Sequence, residues 1–312
     1  MRLVFCGTPD FAVPTLEALL DHGHQVALVL TQPDRPAGRK MELQQSAVKR
    51  FALTRGLRVL QPEKIKTNQD LRAELESIRP DAIIVVAYGR IVPDWMLTLP
   101  RLGNINLHGS LLPKYRGAAP IQWAVANGET ETGVTTMHLD AGLDTGDILL
   151  GSRVSIGPDT TAAELYPQLA GIGAKLMLDT LDGLERDTIA PRKQDDSQAS
   201  LAPILTREDA RMDLQRRTAP EAYNRWRGFS PWPGAYAELR GKRFLVHRMH
   251  PTQQSDIVLA PGELALVGDV LLAGAANGSP LALDEVQIEG KARMSGAQFA
   301  KDFQLRRGET LV

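Results

Sequence analysis

The stretch Asp81-Ala-Ile-Ile-Val-Val-Ala-Tyr88 decides how the rest of the chain is read. It is apolar without alternation. A strand over Ala82–Ala87 must therefore be covered on both faces, as at the centre of a parallel sheet. On its N-terminal side, Asp70–Ile78 has helical spacing and stops before Pro80. Further back lie a short strand at Leu57–Leu60, a helix at Ser46–Thr54, a strand at Gln25–Leu30, a helix at Val13–Leu20 and a strand at Leu3–Cys6 that ends on Gly7. On its C-terminal side follow a strand at Gly103–His108, a helix near Ile121–Ala126, a strand at Val134–Leu139 and a long helix at Ala162–Leu184. This alternation predicts an α/β domain with a mostly parallel sheet under helices, and ligands beyond the carboxyl ends of the strands.

The polar stretch Ala190-Pro-Arg-Lys-Gln-Asp-Asp-Ser-Gln-Ala-Ser200 has no apolar period and reads as a linker. Thr206 and Asp209 then make a capping-box-like helix start, and Ser230-Pro-Trp-Pro-Gly234 breaks the helix. Short strand signals at Ala235–Leu239, Phe244–His247, Gly262–Leu266, Val270–Ala273 and Leu281–Val286 suit a small β-barrel, with a last helix near Ser295–Leu305. The expected organisation is a domain over 1–189, a linker over 190–205 and a second domain over 206–312. That agrees with about two domains for 312 residues.

Composition excludes some classes. No apolar run approaches the roughly 18–20 residues of a membrane span. The N-terminus lacks the apolar core of a secretory signal. The single cysteine, Cys6, forms no internal disulfide and fits the reducing cytosol. The formal charge of −1 argues against a general polyanion coat. Its distribution is uneven: 21 basic against 24 acidic side chains over 1–205, and 15 against 13 over 206–312. Between Arg207 and Arg227 six arginines face four acids. Screening limits the reach of charge to about 8 Å at physiological salt, so local placement matters more than the total.

Four constellations can carry chemistry. Gly7-Thr-Pro-Asp-Phe11 follows the first strand without the G-x-G-x-x-G of nicotinamide binding, so it reads as a structural turn and weighs against a dehydrogenase. In Asn104-Ile-Asn-Leu-His-Gly-Ser-Leu-Leu-Pro113, strand alternation points Asn106 and His108 the same way. An amide and an imidazole there can serve a developing oxyanion; taken alone, they read as satisfied polar groups closing a strand. Asp140-Ala-Gly-Leu-Asp-Thr-Gly-Asp147 lacks calcium-loop spacing; it is either a turn of solvated acids or the source of a carboxylate that orients His108. The loop Thr31-Gln-Pro-Asp-Arg-Pro-Ala-Gly-Arg-Lys40, with Lys49 soon after, suits phosphate contact and equally an ordinary solvated loop. Cys6 reads as packing, His138 as structural, and no Cys/His cluster has zinc spacing, so no metal is expected.

Ser110-Leu-Leu-Pro-Lys-Tyr-Arg-Gly-Ala-Ala-Pro-Ile-Gln122 and Gly142-Leu-Asp-Thr-Gly-Asp147 resemble the folate-dependent formyltransferase family, over residues 2 to about 310. The resemblance implies a Rossmann-like N-terminal domain for folate and chemistry, and a small C-terminal OB-like barrel that helps bind tRNA. It implies transfer of a formyl group from 10-formyltetrahydrofolate, without a metal, to the α-amino group of methionine on initiator methionyl-tRNA, by a cytoplasmic monomer. Catalytic positions map onto Asn106, His108 and Asp144. Ser110, Leu111, Leu112 and Pro113 match the folate-binding segment, and the backbone around Val85, Val86, Ala87 and Asp140 borders the pterin pocket. Arg35, Arg39, Lys40 and Lys49 match the segment that meets the acceptor end of the tRNA, with Arg207 as a nearby charge. The chain departs from the family after Arg39, where fewer lysines follow, and at Ile204, where relatives often have Lys. Two alternatives stay open: a formyltransferase acting on a small amine such as an amino-sugar nucleotide, and a non-catalytic folate- or RNA-binding protein.

Overall fold

The structure is a computed structural model that describes residues 1–37, 42–252 and 257–312. Its chain divides into two units. The first comprises Met1–Pro120, Glu131–Ser155 and Tyr166–Pro203; the second comprises Ile121–Thr130, Ile156–Leu165 and Ile204–Val312. Among the described residues, no helix is long and apolar enough to cross a membrane.

In the first unit, strands β1 (Arg2–Gly7) and β2 (Gln25–Leu30) flank helix α1 (Val13–Asp21). A small ribbon, β3 (Arg35–Ala37) with β4 (Glu42–Gln44), precedes α2 (Ala47–Thr54) and β5 (Val59–Leu60). Helix α3 (Gln69–Ile78) leads into β6 (Ala82–Val86), and α4 (Asp94–Leu97) into β7 (Asn104–His108). After α5 (Pro120–Ala126), which from Ile121 on belongs to the second unit, come β8 (Glu131–His138), β9 (Ile148–Ser155) and α6 (Ala162–Glu185), whose residues from Tyr166 on belong to the first. The sheet order is β5-β2-β1-β6-β7-β8-β9. β5, β2, β1, β6 and β7 run parallel, while β8 runs antiparallel to both neighbours. The order in which strands are added reverses at β1, whose neighbours are β2 and β6, so the crevice expected of such folds opens where those strands end.

Both faces of the sheet are covered, as the unbroken apolar run of β6 demands. Leu71, Leu75 and Ile78 of α3 pack with Val4, Cys6, Ile83 and Val85 on one face. On the other face α6 lies so close that a Cβ on Gly173 would stand 2.5 Å from Leu107. Thr180 of α6 and Thr136 of β8 also share a buried hydrogen bond of 2.7 Å. Leu107 faces α6; its neighbours Asn106 and His108 therefore point to the α3 face. Strand β9 has no counterpart in the sequence reading: its burial alternates from Leu150 to Ser155, but Ser152 takes an inward position and the apolar pattern lapses over Gly151-Ser-Arg153. The residues expected as a linker fold back onto the first unit as far as Pro203. Arg192 exchanges two backbone bonds with Ile148, and Arg116 bonds Ser200 and Ala202.

The second unit holds α7 (Ala219–Phe229), strands β10 (Tyr236–Leu239), β11 (Lys242–Pro251), β12 (Leu264–Val267), β13 (Val270–Gly274), β14 (Pro280–Ile288) and β15 (Met294–Ser295), and α8 (Gly296–Asp302). Thr206 and Asp209 start only one 3-10 turn, Glu208–Ala210; the capping box sits at Thr218 and Glu221, where it opens α7. The antiparallel sheet, ordered β10-β11-β14-β13-β12, curls over a core containing Phe244, Phe299 and Leu311. Residues 309–312 join its two edges. Leu264 donates to Glu309 and Leu311 to Gly262, while Glu238 and Val312 exchange two backbone bonds. Phe244 and Phe299 meet edge to face with centroids 5.0 Å apart. Phe244→Ala should cost about 3–5 kcal/mol in denaturant unfolding of the full chain.

Candidate functional site

Strand β7 sets the site. Asn106 sits between Val85 of β6 and Met137 of β8, and His108 is paired with Thr135. Both side chains are buried, Asn106 to 8% and His108 to 5% exposure. Among the described residues no side-chain hydrogen bond engages the Asn106 amide, so its donors stay available. His108 Nε2 lies 2.9 Å from the carbonyl oxygen of Tyr115. A carbonyl only accepts, so Nε2 carries the hydrogen, and Nδ1 is the nitrogen left for proton exchange. Nδ1 lies 3.6 Å from Asp144 Oδ2, which is too long for a direct hydrogen bond and close enough for an ion pair.

Asp144 arrives by an unexpected route. Because β8 is antiparallel, His138 ends level with Ile105, at the far end of β7 from His108. The loop 139–147 must travel back along the sheet to bring Asp144 to the imidazole. Asp140 fastens this loop internally: its carboxylate accepts from Gly142 N and from Thr145 Oγ1. Asp144 is left-handed (φ 52), and its Oδ2 accepts from the backbone N–H of Gly117 at 2.8 Å. His108 is thus oriented through Nε2 by Tyr115, while the carboxylate faces its other nitrogen.

The formyl transferase profile matches residues 1–181 and the formyl transferase C-terminal domain profile residues 204–304. The chain is 60% identical over 312 residues to the methionyl-tRNA formyltransferase of Acidobacterium capsulatum, covering all of this chain and 98% of that protein. The chain belongs to the formyl transferase family.

Two solved structures share the fold of this formyl transferase. An N-formyltransferase from Helicobacter canadensis, in complex with folinic acid and dTDP-3-aminofucose, superposes with a TM-score of 0.67 at 20% identity, over 91% of this chain and 98% of that one. HypX from Aquifex aeolicus, in complex with tetrahydrofolic acid, gives 0.63 at 18% identity; this chain is fully covered and spans about half of HypX.

A folate donor needs backbone donors and acceptors for its pterin edge and apolar walls for its ring face. Both are present in the first unit. Val86 pairs with Leu107, so the exposed, left-handed Ala87 (φ 45) sits beside His108 on the neighbouring strand. The turn is braced by Thr8 and Gln32, whose side chains donate to the carbonyl of Tyr88. Leu143 in the Asp144 loop is 62% exposed, and Ile91 beyond the β6 turn is 92% exposed. The side chains of Val85 and Val86 are buried, so only their backbone can border a ligand. Ser110 is buried too: its hydroxyl donates to Lys114 O and its carbonyl accepts from Thr135. Leu112 packs on Met137 and Ile148, which leaves Leu111 and Pro113 as the partly exposed members of that segment.

The expected tRNA residues are differently placed. Arg35 is exposed on the ribbon, whereas Arg39 and Lys40 lie outside the described residues. The Lys49 ammonium is held 2.6 Å from both Asp34 and Gln61, so its charge is already paired. The bond from Lys49 and a second from Gln61 Nε2 hold the Asp34 carboxyl below the usual carboxylate range. Arg207 is exposed in the second unit. Burial pushes the Cys6 thiol far up, which suits packing. Among the described residues, no group of three or more His, Cys, Asp or Glu side chains could hold a metal.

Tyr115 and Gly117 are site residues that patterning could not find, because they act through backbone atoms. Gly117 alone carries a local signal. At φ 123, a Cβ there would stand 2.6 Å from the carbonyl oxygen of Ala202. Gly117→Ala should shift the backbone that holds Asp144 and lower the thermal midpoint by several degrees, read by calorimetry.

Proposed function

We propose that the chain transfers the formyl group of 10-formyltetrahydrofolate to the α-amino group of methionine on initiator methionyl-tRNA, as a cytoplasmic monomer. The carrying observation is the meeting of Asn106, His108 and Asp144 on one face of β7, in a chain so similar over its full length to a methionyl-tRNA formyltransferase. The folate supplies an activated formyl group on nitrogen. The exposed backbone at Ala87, the Asp140–Asp144 loop and the Ser110–Pro113 segment would hold it.

The chain's own groups then have distinct tasks. Attack of an amine on a formyl carbon places negative charge on the formyl oxygen. The buried Asn106 amide is a preorganised donor to that charge. The attacking amine must lose a proton, and the departing nitrogen must gain one. His108 Nδ1 and Asp144 are where the chain can hold that proton between the two events. Tyr115 keeps Nδ1 as the exchanging atom throughout. For the second unit, the arginines between Arg207 and Arg227 support a role on the tRNA side, tempered by the pairing of Arg225 and Arg227 within that unit.

A labelled-formyl transfer assay tests this reading with initiator methionyl-tRNA, elongator methionyl-tRNA and a dTDP-amino sugar as acceptors. Formylation of the initiator tRNA alone is expected; formylation of the sugar alone would overturn the reading. Asn106→Ala and Asp144→Asn should each lower kcat about 10²–10³-fold while the protein stays folded, and near-parental turnover of both would remove these residues from the chemistry.

A further inference from the structure

Gln194 lies in the polar stretch that the sequence presents as a linker. Its amide uses both ends at the site. Nε2 donates to the carbonyl oxygens of Asp144 at 2.8 Å and Gly146 at 2.7 Å. Oε1 accepts from Arg116, 3.1 Å from Nε and 2.8 Å from Nη2. Carbonyls only accept and guanidinium only donates, so the amide has a single orientation that satisfies all four contacts. Arg116 is itself immobilised. It is 7% exposed, its Nη2 also reaches Asp196 at 2.6 Å, and its backbone bonds Ser200 and Ala202.

We propose that Gln194, fixed by Arg116, is a positioning residue that holds the Asp144 loop against His108. The inference rests on the reading of Asp144 and His108 as the proton-handling pair. The loop has travelled the length of β7, and Asp140 ties only its own turn together. Gln194 grips it from outside, on the backbone of Asp144 itself. The next residues of the Arg116 segment complete the frame: Tyr115 O orients His108, and Gly117 N orients the Asp144 carboxylate. Tyr115, Arg116 and Gly117 thus fix the imidazole, the grip on the loop and the carboxylate from three consecutive residues. Misplacement of a reacting group by about 1 Å can cost on the order of 10²-fold in rate, so a grip on this backbone bears on turnover.

Gln194→Glu separates positioning from simple support. Glu keeps an acceptor, and a stronger one, for Arg116, but turns a carboxylate toward two carbonyl oxygens that need donors. The expected result is a fall in kcat of about 10–100-fold, with KM for folate and for methionyl-tRNA within about twofold of the parent and a thermal midpoint lowered by no more than a few degrees. Arg116→Lys, which keeps the charge but loses the fork, should show a smaller loss of the same kind. Parental kcat in Gln194→Glu, or a loss confined to KM, would overturn the proposal. Asp144→Asn measured alongside distinguishes the levels. If it collapses while Gln194→Glu is normal, only the positioning role fails; if Asp144→Asn itself is normal, the catalytic reading beneath it fails.

Discussion

The carbonyl oxygen of Tyr115 accepts a hydrogen bond from His108 Nε2 at 2.9 Å, and much of the site follows from that contact. It fixes the imidazole in its plane and assigns the hydrogen to Nε2. It leaves Nδ1 toward Asp144, across a gap of 3.6 Å. At a ring only 5% exposed, an unmade bond would cost about 1–3 kcal/mol, which keeps the geometry from relaxing. Tyr115 reaches the position only in a left-handed conformation, φ 62, that a bulky side chain rarely adopts. Its N–H is held by Ser200 Oγ, so the segment after the first domain's last helix stabilises an otherwise unfavourable turn.

Two other left-handed residues, Ala87 and Asp144, border the same region. Each strained position costs on the order of 1–3 kcal/mol and persists because its surroundings determine it. Ala87 follows the most buried strand of the sheet, and Asp144 is held through its carboxylate by Gly117 and through its carbonyl by Gln194. The sheet thus supplies Asn106 and His108 from β7, and three turns clamped onto it border them.

The strands of the first unit were legible because continuous apolar runs such as Ala82–Val86 admit few other readings. Asn106 and His108 were legible as an i, i+2 pair. Strand β9 was not, because Gly151-Ser-Arg153 interrupts its apolar alternation. The ribbon β3–β4 carries no apolar pattern at all, and its β4 strand is wholly exposed. The path of the Asp144 loop was hidden by the antiparallel direction of β8, which periodicity does not report. Residues 190–203 looked like a linker for a related reason. They bond to polar atoms and backbone of the site rather than to a hydrophobic core, so their attachment leaves no apolar signature. Lys49, in the helix after the polar loop, shows what composition does not report: its ammonium is already held by Asp34 and Gln61.

The central claim is that the Tyr115 carbonyl sets the His108 tautomer and so selects the atom that exchanges protons. Nitrogen-15 NMR of histidine-labelled protein reads this directly, with the His108 signals identified among the six histidines by their loss in His108→Asn. The account predicts that the neutral ring carries its hydrogen on Nε2, with Nδ1 showing the shift of a free lone pair. A neutral ring with its hydrogen on Nδ1 would contradict it.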